Sequence, residues 1–231
     1  SGRVTAHGRV QGTLSRPSIT GEATLATLRY QDVFVGGAEA QIDLDLGDTR
    51  SSRVVVRATE VDSGALRFDR VEFRASGRTT EHELSLEAAS PGDERYRLAG
   101  FEARIAARGA FEIDRRRWNG ELASTKFSFP DGSANLLQPA AVDLSPEAAS
   151  AAPVCLETGE ARFCVEGQWS ARPDSWRLIY SAQDWPLKRL LTSLLGWREF
   201  DGMLQASGWI GKEPGQDWLG ATTVLLDQAS F

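Results

Sequence analysis

Apolar and polar residues alternate with a period of two along most of this chain, the pattern of strands with one apolar and one solvated face. The clearest stretch is Ala38-Glu39-Ala40-Gln41-Ile42-Asp43-Leu44-Asp45-Leu46, with Ala, Ile and Leu on one side and Glu, Gln and Asp on the other. Val4, Ala6, Val10 and Leu14 alternate with Thr5, His7, Arg9 and Gln11, and after Arg16-Pro17 the pattern resumes at Ile19, Gly21, Ala23 and Leu25. Further strands are expected at 54–58, 65–68, 71–75, 82–88, 101–107, 111–113, 118–122, 126–129, 176–180, 203–209 and 219–226, with an irregular run at 136–144. The total is about fifteen, nearly all short, at the spacing of an all-β chain. Gly followed two residues later by Leu or Phe recurs irregularly (Gly109 and Phe111, Gly120 and Leu122, Gly202 and Leu204), as if strands entered a sheet at comparable places.

Both cysteines fall in one predicted hairpin, 154–165. With Gly159-Glu160 as a type II′ turn, Gly supplies the positive φ and Cys155 faces Cys164. Thr158 then faces Ala161, Glu157 faces Arg162, Leu156 faces Phe163 and Val154 faces Val165, so opposite charges meet on one face and apolar groups on the other. The cysteines take a non-hydrogen-bonded site, where opposed Cα atoms lie about 4.5 Å apart, within reach of a disulfide. Reduced, half-buried cysteines are the alternative. Zinc fits poorly, because His7 and His82 are far off in sequence and no Cys-x-x-Cys spacing exists. A disulfide places the chain in an oxidising compartment such as a periplasm.

Two stretches depart from strand periodicity. At 145–153 the sequence Ser-Pro-Glu-Ala-Ala-Ser-Ala-Ala-Pro reads as a flexible connection. At 184–196, apolar residues recur at helical spacing, with Asp184 as N-cap, Pro186 in the first turn and Gly196 as a stop, which predicts a short amphipathic helix. Such a helix covers a sheet end or touches a membrane.

Composition narrows the function. Lys and Arg total 26 against 32 Asp and Glu, a net charge of −6 spread along the strands, which argues against a nucleic-acid partner. No apolar run approaches the roughly 18 residues of a spanning helix. The chain starts at Ser1-Gly2 without a basic, apolar leader, so any targeting segment is expected outside it. Two histidines leave little for a general-base triad, and no Gly-x-Ser-x-Gly elbow, dinucleotide turn or Walker loop occurs, so the expectation is a non-enzymatic chain without cofactor or metal. Asp43, Asp45 and Asp48 suggest calcium, but alternation with leucines and a misplaced Gly favour a solvated strand face. Arg115-Arg116-Arg117 reads as a polar turn, and His82, on the face of Leu84 and Leu86, as a core imidazole.

One-sided strands with a single helix to cover them can form a sandwich, a closed barrel or a curved sheet folded over its own groove. An open apolar groove suits an acyl chain, since each buried methylene contributes about 0.8 kcal/mol without needing a polar partner. The residues assigned to the groove lining are Ile42, Leu44, Leu46, Val54, Val56, Leu66, Phe68, Val71, Phe73, Leu84, Leu86, Phe101, Ile105, Phe127, Phe129, Phe163, Val165, Leu178 and Tyr180. Alternation alone does not separate such a lining from a closed sandwich core. A scaffold offering a strand edge to other β proteins is a second class. An outer-membrane barrel is a third, disfavoured because several expected strands are shorter than the roughly 9–11 residues a spanning strand needs.

A family resemblance runs through the chain in order. Trp118-Asn119-Gly120-Glu121-Leu122, Gln138-Pro139-Ala140-Ala141-Val142, the Cys155 and Cys164 pair with Gly167-Gln168-Trp169, Pro186-Leu187, and Gly202-Met203-Leu204 resemble successive landmarks of the TamB family. The opening Gly12-Thr13-Leu14-Ser15-Arg16-Pro17-Ser18-Ile19-Thr20-Gly21 is similar to repeats of that family and its AsmA-like relatives. Trp185 stands where such proteins often have Leu before Pro-Leu, a conservative apolar change. The resemblance implies an all-β, curved, elongated sheet, a β-taco or open β-groove with an apolar interior and one short helix. It implies one segment spanning 1–231, a middle piece of a longer protein anchored in the inner membrane of a Gram-negative bacterium. It further implies a periplasmic bridge carrying phospholipid outward, with phospholipid acyl chains and a TamA-type outer-membrane barrel as partners, and a link to outer-membrane protein and autotransporter assembly.

Overall fold

Period-two alternation becomes one continuous antiparallel sheet. The computed structural model of the chain describes residues 2–13, 16–64, 66–93, 98–130, 132–186 and 201–230. Its strands are β1 (Arg3–Thr13), β2 (Arg16–Tyr30), β3 (Val33–Asp45), β4 (Ser52–Asp62), β5 (Arg67–Arg78), β6 (Glu81–Asp93), β7 (Leu98–Glu112), β8 (Arg117–Phe129), β9 (Gly132–Leu136), β10 (Ala140–Leu144), β11 (Ala148–Thr158), β12 (Ala161–Ala171), β13 (Asp174–Pro186), β14 (Asp201–Lys212) and β15 (Trp218–Ser230). All 15 belong to one sheet, laid side by side in chain order. Between β8 and β11 a single rung is split in two. β10 pairs with Trp118–Leu122 of β8, and β9 pairs with the Lys126–Phe129 end and crosses to β11.

The strands are longer than alternation suggested. Apart from β9 and β10, of 5 residues each, they run 11 to 15 residues. Glycines and alanines that interrupt the hydrophobic pattern do not end a strand whose backbone is hydrogen-bonded on both sides. The expected pieces at 67–68 and 71–75 join in β5 across Asp69-Arg70, 101–107 and 111–112 run together in β7, and 118–122 and 126–129 in β8. With strands this long, length no longer argues against a membrane barrel. Among the described residues the ladder is open, with β1 and β15 at opposite ends of the sheet.

The expected loop at 145–153 and the expected helix start at Asp184 fail for physical reasons. The connection at 145–153 is a tight turn followed by strand. Ser145 closes the turn through its amide and hydroxyl on Ala148, and Ala148–Ala151 pair with β12. Small side chains are sufficient where backbone pairing supplies the order, and Pro153 falls at a bulge between Ala151 and Val154, where its missing N–H costs no ladder bond. The helix at 184–196 does not begin at Asp184. β13 runs on through Trp185, opposite Leu204, and Pro186, opposite Met203, with Asp184 left-handed (φ 53°) at a bulge rather than capping a helix. The remainder of that segment, including Leu190 and Leu194, lies outside the described residues.

Every extensive strand contact is between sheet neighbours, and among the described residues no large apolar side chain is buried as it would be beneath a second layer. The sandwich reading fails on this point. The buried apolar side chains are small: Val55, Ala103, Ala134, Ala140, Cys155 and Ala161. No Leu, Ile, Phe or Trp among the described residues is fully buried.

The cysteine hairpin has the register derived from the sequence, from Thr158 opposite Ala161 through Glu157 and Arg162, Leu156 and Phe163, Cys155 and Cys164, to Val154 opposite Val165. Gly159 takes φ 62° and Glu160 stays at negative φ, as a type II′ turn requires. A disulfide joins Cys155 to Cys164 across Cα atoms 4.0 Å apart. Replacing both cysteines with Ser should destabilise the protein by somewhat under ~3 kcal/mol, the chain-entropy value for so short a loop. Denaturant unfolding measures this, and thiol labelling of denatured protein from an oxidising compartment should find no free thiol. Two free thiols there would overturn the staple.

Candidate functional site

The apolar face is built row by row across the strands. One row runs Ala40, Val56, Phe73, Leu86, Ile105 and Thr125 through β3 to β8. The next runs Ile42, Val54, Ala75, Leu84, Ala107, Leu122 and Ala140. On its other side lie Ala38, Ala58, Val71, Ala88, Ala103, Phe127 and Ala134. A bulge in β8 between the partners of Ala106 and Ala107 keeps Leu122 and Thr125 on one side. In the second half the rows continue as Val154, Val165, Tyr180 and Gly208, as Leu156, Phe163, Ala182 and Ala206, and as Val142, Ala151, Gly167, Leu178 and Ile210.

Of the residues assigned to the lining from sequence, all but Leu46 and Leu66 share this face. Leu46 sits in the turn after β3, its amide on the Pro17 carbonyl, and Leu66, 40% exposed, lies in the turn before β5. Phe68 reaches the face after a slip in alternation at Asp69-Arg70, matched on β4 at Thr59-Glu60, where Glu60 is left-handed (φ 52°). Its ring meets Phe101 edge-on at 6.0 Å, and Phe101 meets Phe129 at 6.3 Å, giving one margin of the face an aromatic cluster.

Sequence reading missed the opposite margin. There a row runs Phe111, Trp118, Leu144, Ala149, Trp169, Trp176, Lys212 and Trp218, gathering four of the chain's 7 tryptophans from β8, β12, β13 and β15. The signal was present: a two-residue turn at Arg172-Pro173 pairs Trp169 with Trp176. Trp118 lies over Gly109 and Gly120, where an added Cβ would come within 2.7 Å of the indole. Its N–H donates to His82 Nε2 (2.7 Å), so His82 carries its proton on Nδ1 and donates to the Arg78 carbonyl. Trp176 and Trp218 meet edge-on at 5.1 Å.

The other face is charged and largely paired. Glu39, Arg57, Glu72, Glu87, Arg104 and Lys126 form one cross-strand row. Arg74 and Arg57 hold the Glu72 carboxyl below its usual range. Arg117, first of the β8 residues, chelates Asp143 and, with Asn119, lowers its pKa. Arg117 is thus an ion-pair partner of β10 rather than a turn residue.

The aspartates considered for calcium organise a turn instead. Asp45 is buried, not on a solvated face, and accepts from the Gly47, Thr49 and Arg50 amides and the Thr49 hydroxyl. The Thr49 hydroxyl, then those amides, hold its carboxyl below the ordinary range, against the opposing effect of desolvation. Asp48, left-handed at φ 59°, accepts from Thr79 N and Thr80 Oγ1, tying this turn to the next. Asp43 pairs with Arg50. Among the described residues no group of three or more His, Cys, Asp or Glu side chains could hold a metal.

The family description "TamB, N-terminal domain" matches residues 1–230. The chain belongs to the TamB family. By that description the matched region is the N-terminal domain, where the sequence landmarks implied a middle segment. No solved structure matches the chain. The TamB family is a non-enzymatic transport or assembly family of the bacterial envelope, known as part of a TamA-associated module.

Because Asp45 titrates low in the folded state, the stability it contributes is present above the ordinary aspartate range and is lost as pH falls through its depressed folded pKa. Asp45→Asn should be less stable than wild type at neutral pH, with the gap closing on acidification. Thermal unfolding across that range checks this, and a gap independent of pH would show that the Asp45 charge has no part in holding the turn.

Proposed function

We propose that this TamB chain carries phospholipid through the periplasm on its apolar face, with acyl chains lying against the rows from Ala40 to Thr125 and their neighbours. The observation that carries the reading is a broad apolar face left uncovered by any second layer among the described residues, while the opposite face is charged and paired. Its width is suitable. From Phe101 to Phe111 the apolar band measures about 33 Å at about 3.3 Å per residue, close to the roughly 30 Å of bilayer hydrocarbon. A sheet curved along its long axis would turn that band into two walls, each about one acyl chain deep. Transfer then needs no chemistry. The chains exchange one apolar surface for another, and each methylene kept from water contributes about 0.8 kcal/mol. Inner-membrane anchoring and a TamA-type barrel partner complete the route in this reading.

A second reading keeps the chain in envelope assembly without lipid transport: a scaffold that templates strands of other β proteins along a sheet edge through backbone hydrogen bonds.

Phe73→Asp, Leu86→Asp and Ile105→Asp place a carboxylate on one row midway along the face. Lipid passing it must desolvate the charge or wet the face, which costs several kcal/mol. All three positions are only half-buried on a single layer, so the variants should fold. The expected result is normal abundance of the full-length protein with loss of outer-membrane integrity in cells lacking redundant transporters. Abundant variants with normal lipid delivery at all three positions would count against the conduit, and proline substitutions in an exposed edge strand would then test the templating reading.

A further inference from the structure

Among the described residues, the paired rows that cross β4 to β8 between the Phe101 margin and the Trp118 margin contain one ionisable side chain, His82. Histidine is the side chain whose charge ordinarily changes between about pH 5 and 8. His82 is half-buried on the apolar face, opposite Gly77 of β5 and Gly109 of β7, with Leu84 next to it on the same side of β6. Glu81 and Glu83 flank it on β6 but turn to the charged face, where Glu83 lies opposite Arg108, itself paired with Glu121. These four border a recess of about 830 Å³ that His82 also reaches, which gives the imidazole access to water. Arg78 presents its carbonyl to the ring, Asp48 is engaged by Thr79 and Thr80, and Arg117, beside Trp118, is held by Asp143.

The imidazole holds an aromatic neighbour in place. Trp118 stands on β8, with β7 between it and His82, yet its indole N–H reaches His82 Nε2 at 2.7 Å. Gly109 and Gly120 make this possible, since an added Cβ at either would meet the indole at 2.7 Å as well as the backbone of the facing strand. The indole therefore lies down along the sheet with its donor satisfied. That arrangement requires Nε2 to accept. A protonated imidazole carries N–H on both nitrogens and accepts at neither, so two donors would face each other across the same 2.7 Å.

We propose that His82 and Trp118 form a proton-operated latch on the apolar face: neutral His82 keeps the indole flat and the face open to acyl chains, and protonated His82 releases the indole and closes the face across β6 to β8. The inference rests on the lipid-conduit reading and adds to it regulation by the acidity of the surrounding compartment. An acyl chain passing the charged ring must desolvate the imidazolium or admit water to the face, the barrier that a carboxylate at Phe73 or Leu86 would also impose.

The test is local photocrosslinking in full-length protein loaded to equilibrium from detergent with dioleoyl phosphatidylethanolamine, a lipid whose head keeps its charge over the range used. The photoreactive residue p-benzoylphenylalanine replaces Leu84 beside the latch, or Val165 on β12 as a remote reference, and mass spectrometry measures the lipid adduct at each. From about pH 7.5 to about pH 5.5 the adduct at Leu84 should fall on the order of tenfold, the ratio set by one donor left unsatisfied, while that at Val165 holds. His82→Gln, which keeps an acceptor oxygen and does not titrate, should make the Leu84 yield the same at both pH values. His82→Lys should lower it at the higher pH to the acid level of wild type. Should the Gln variant lose the Val165 adduct, His82→Asn takes its place in the comparison. A Leu84 adduct independent of pH in wild type, an undiminished fall in the Gln variant, or an equal fall at Val165 would overturn the latch and leave the conduit standing. Absence of lipid adduct at both positions at the higher pH would overturn the conduit reading and the latch with it.

Discussion

Strand register is the constraint on which the rest of this protein depends. In a globular domain a packed core corrects small errors in pairing, because a misplaced side chain meets a second layer. Here the layer is single, and among the described residues the buried apolar set is no larger than Val55, a few alanines and Cys155. A slip of one residue would send every apolar side chain of a strand to the charged face and bring its charges onto the apolar one. The backbone ladder between neighbours supplies the order, and the side chains choose which ladder forms.

Several devices secure that choice. On the charged face, Arg57 with Glu72 and Arg108 with Glu121 pair across neighbouring strands, and Arg117 reaches Asp143. Individually such exposed pairs are weak, and the native register also sets Glu72 opposite Glu87 and Arg104 opposite Lys126, so charge favours the register only where opposite signs meet. Turns add local control. Asp45 folds the chain from β3 to β4, and Asp48 ties that turn to the next hairpin at Thr79 and Thr80. The disulfide fixes β11 against β12 beside the bulge that Pro153 helps create.

The same single-layer design accounts for what the protein can do. Its apolar side chains are half-covered by their neighbours and open on one side, so they can accept a ligand without unpacking a core. Bulges at Ala123, at Ala152 and Pro153, and at Gln183 and Asp184 keep the apolar residues in phase along strands that would otherwise turn them to the wrong side. The margins, phenylalanine at one end and tryptophan with Lys212 at the other, give the face a polarity along the strands that a uniform apolar strip would lack.

The sequence by itself determined the strand class and the face to which most apolar residues belong, because a period of two is a local property written into each strand. It also determined the hairpin from Val154 to Val165, whose turn, charges and cysteines all point to one register. Its ends were less legible. Asp184, Trp185 and Pro186 carry good helix-start signals, yet pairing opposite Met203 and Leu204 draws them into β13, and pairing on both sides makes a strand of the small residues at 148–151. Asp45 looked solvated because alternation cannot see a turn folding back over a carboxylate. Only the tertiary structure decided that the apolar faces stay uncovered, and that Trp118, Trp169, Trp176 and Trp218, scattered over a hundred residues, stand in one row. Both depend on how many strands lie between two positions and where each bulges, which a two-residue period does not record.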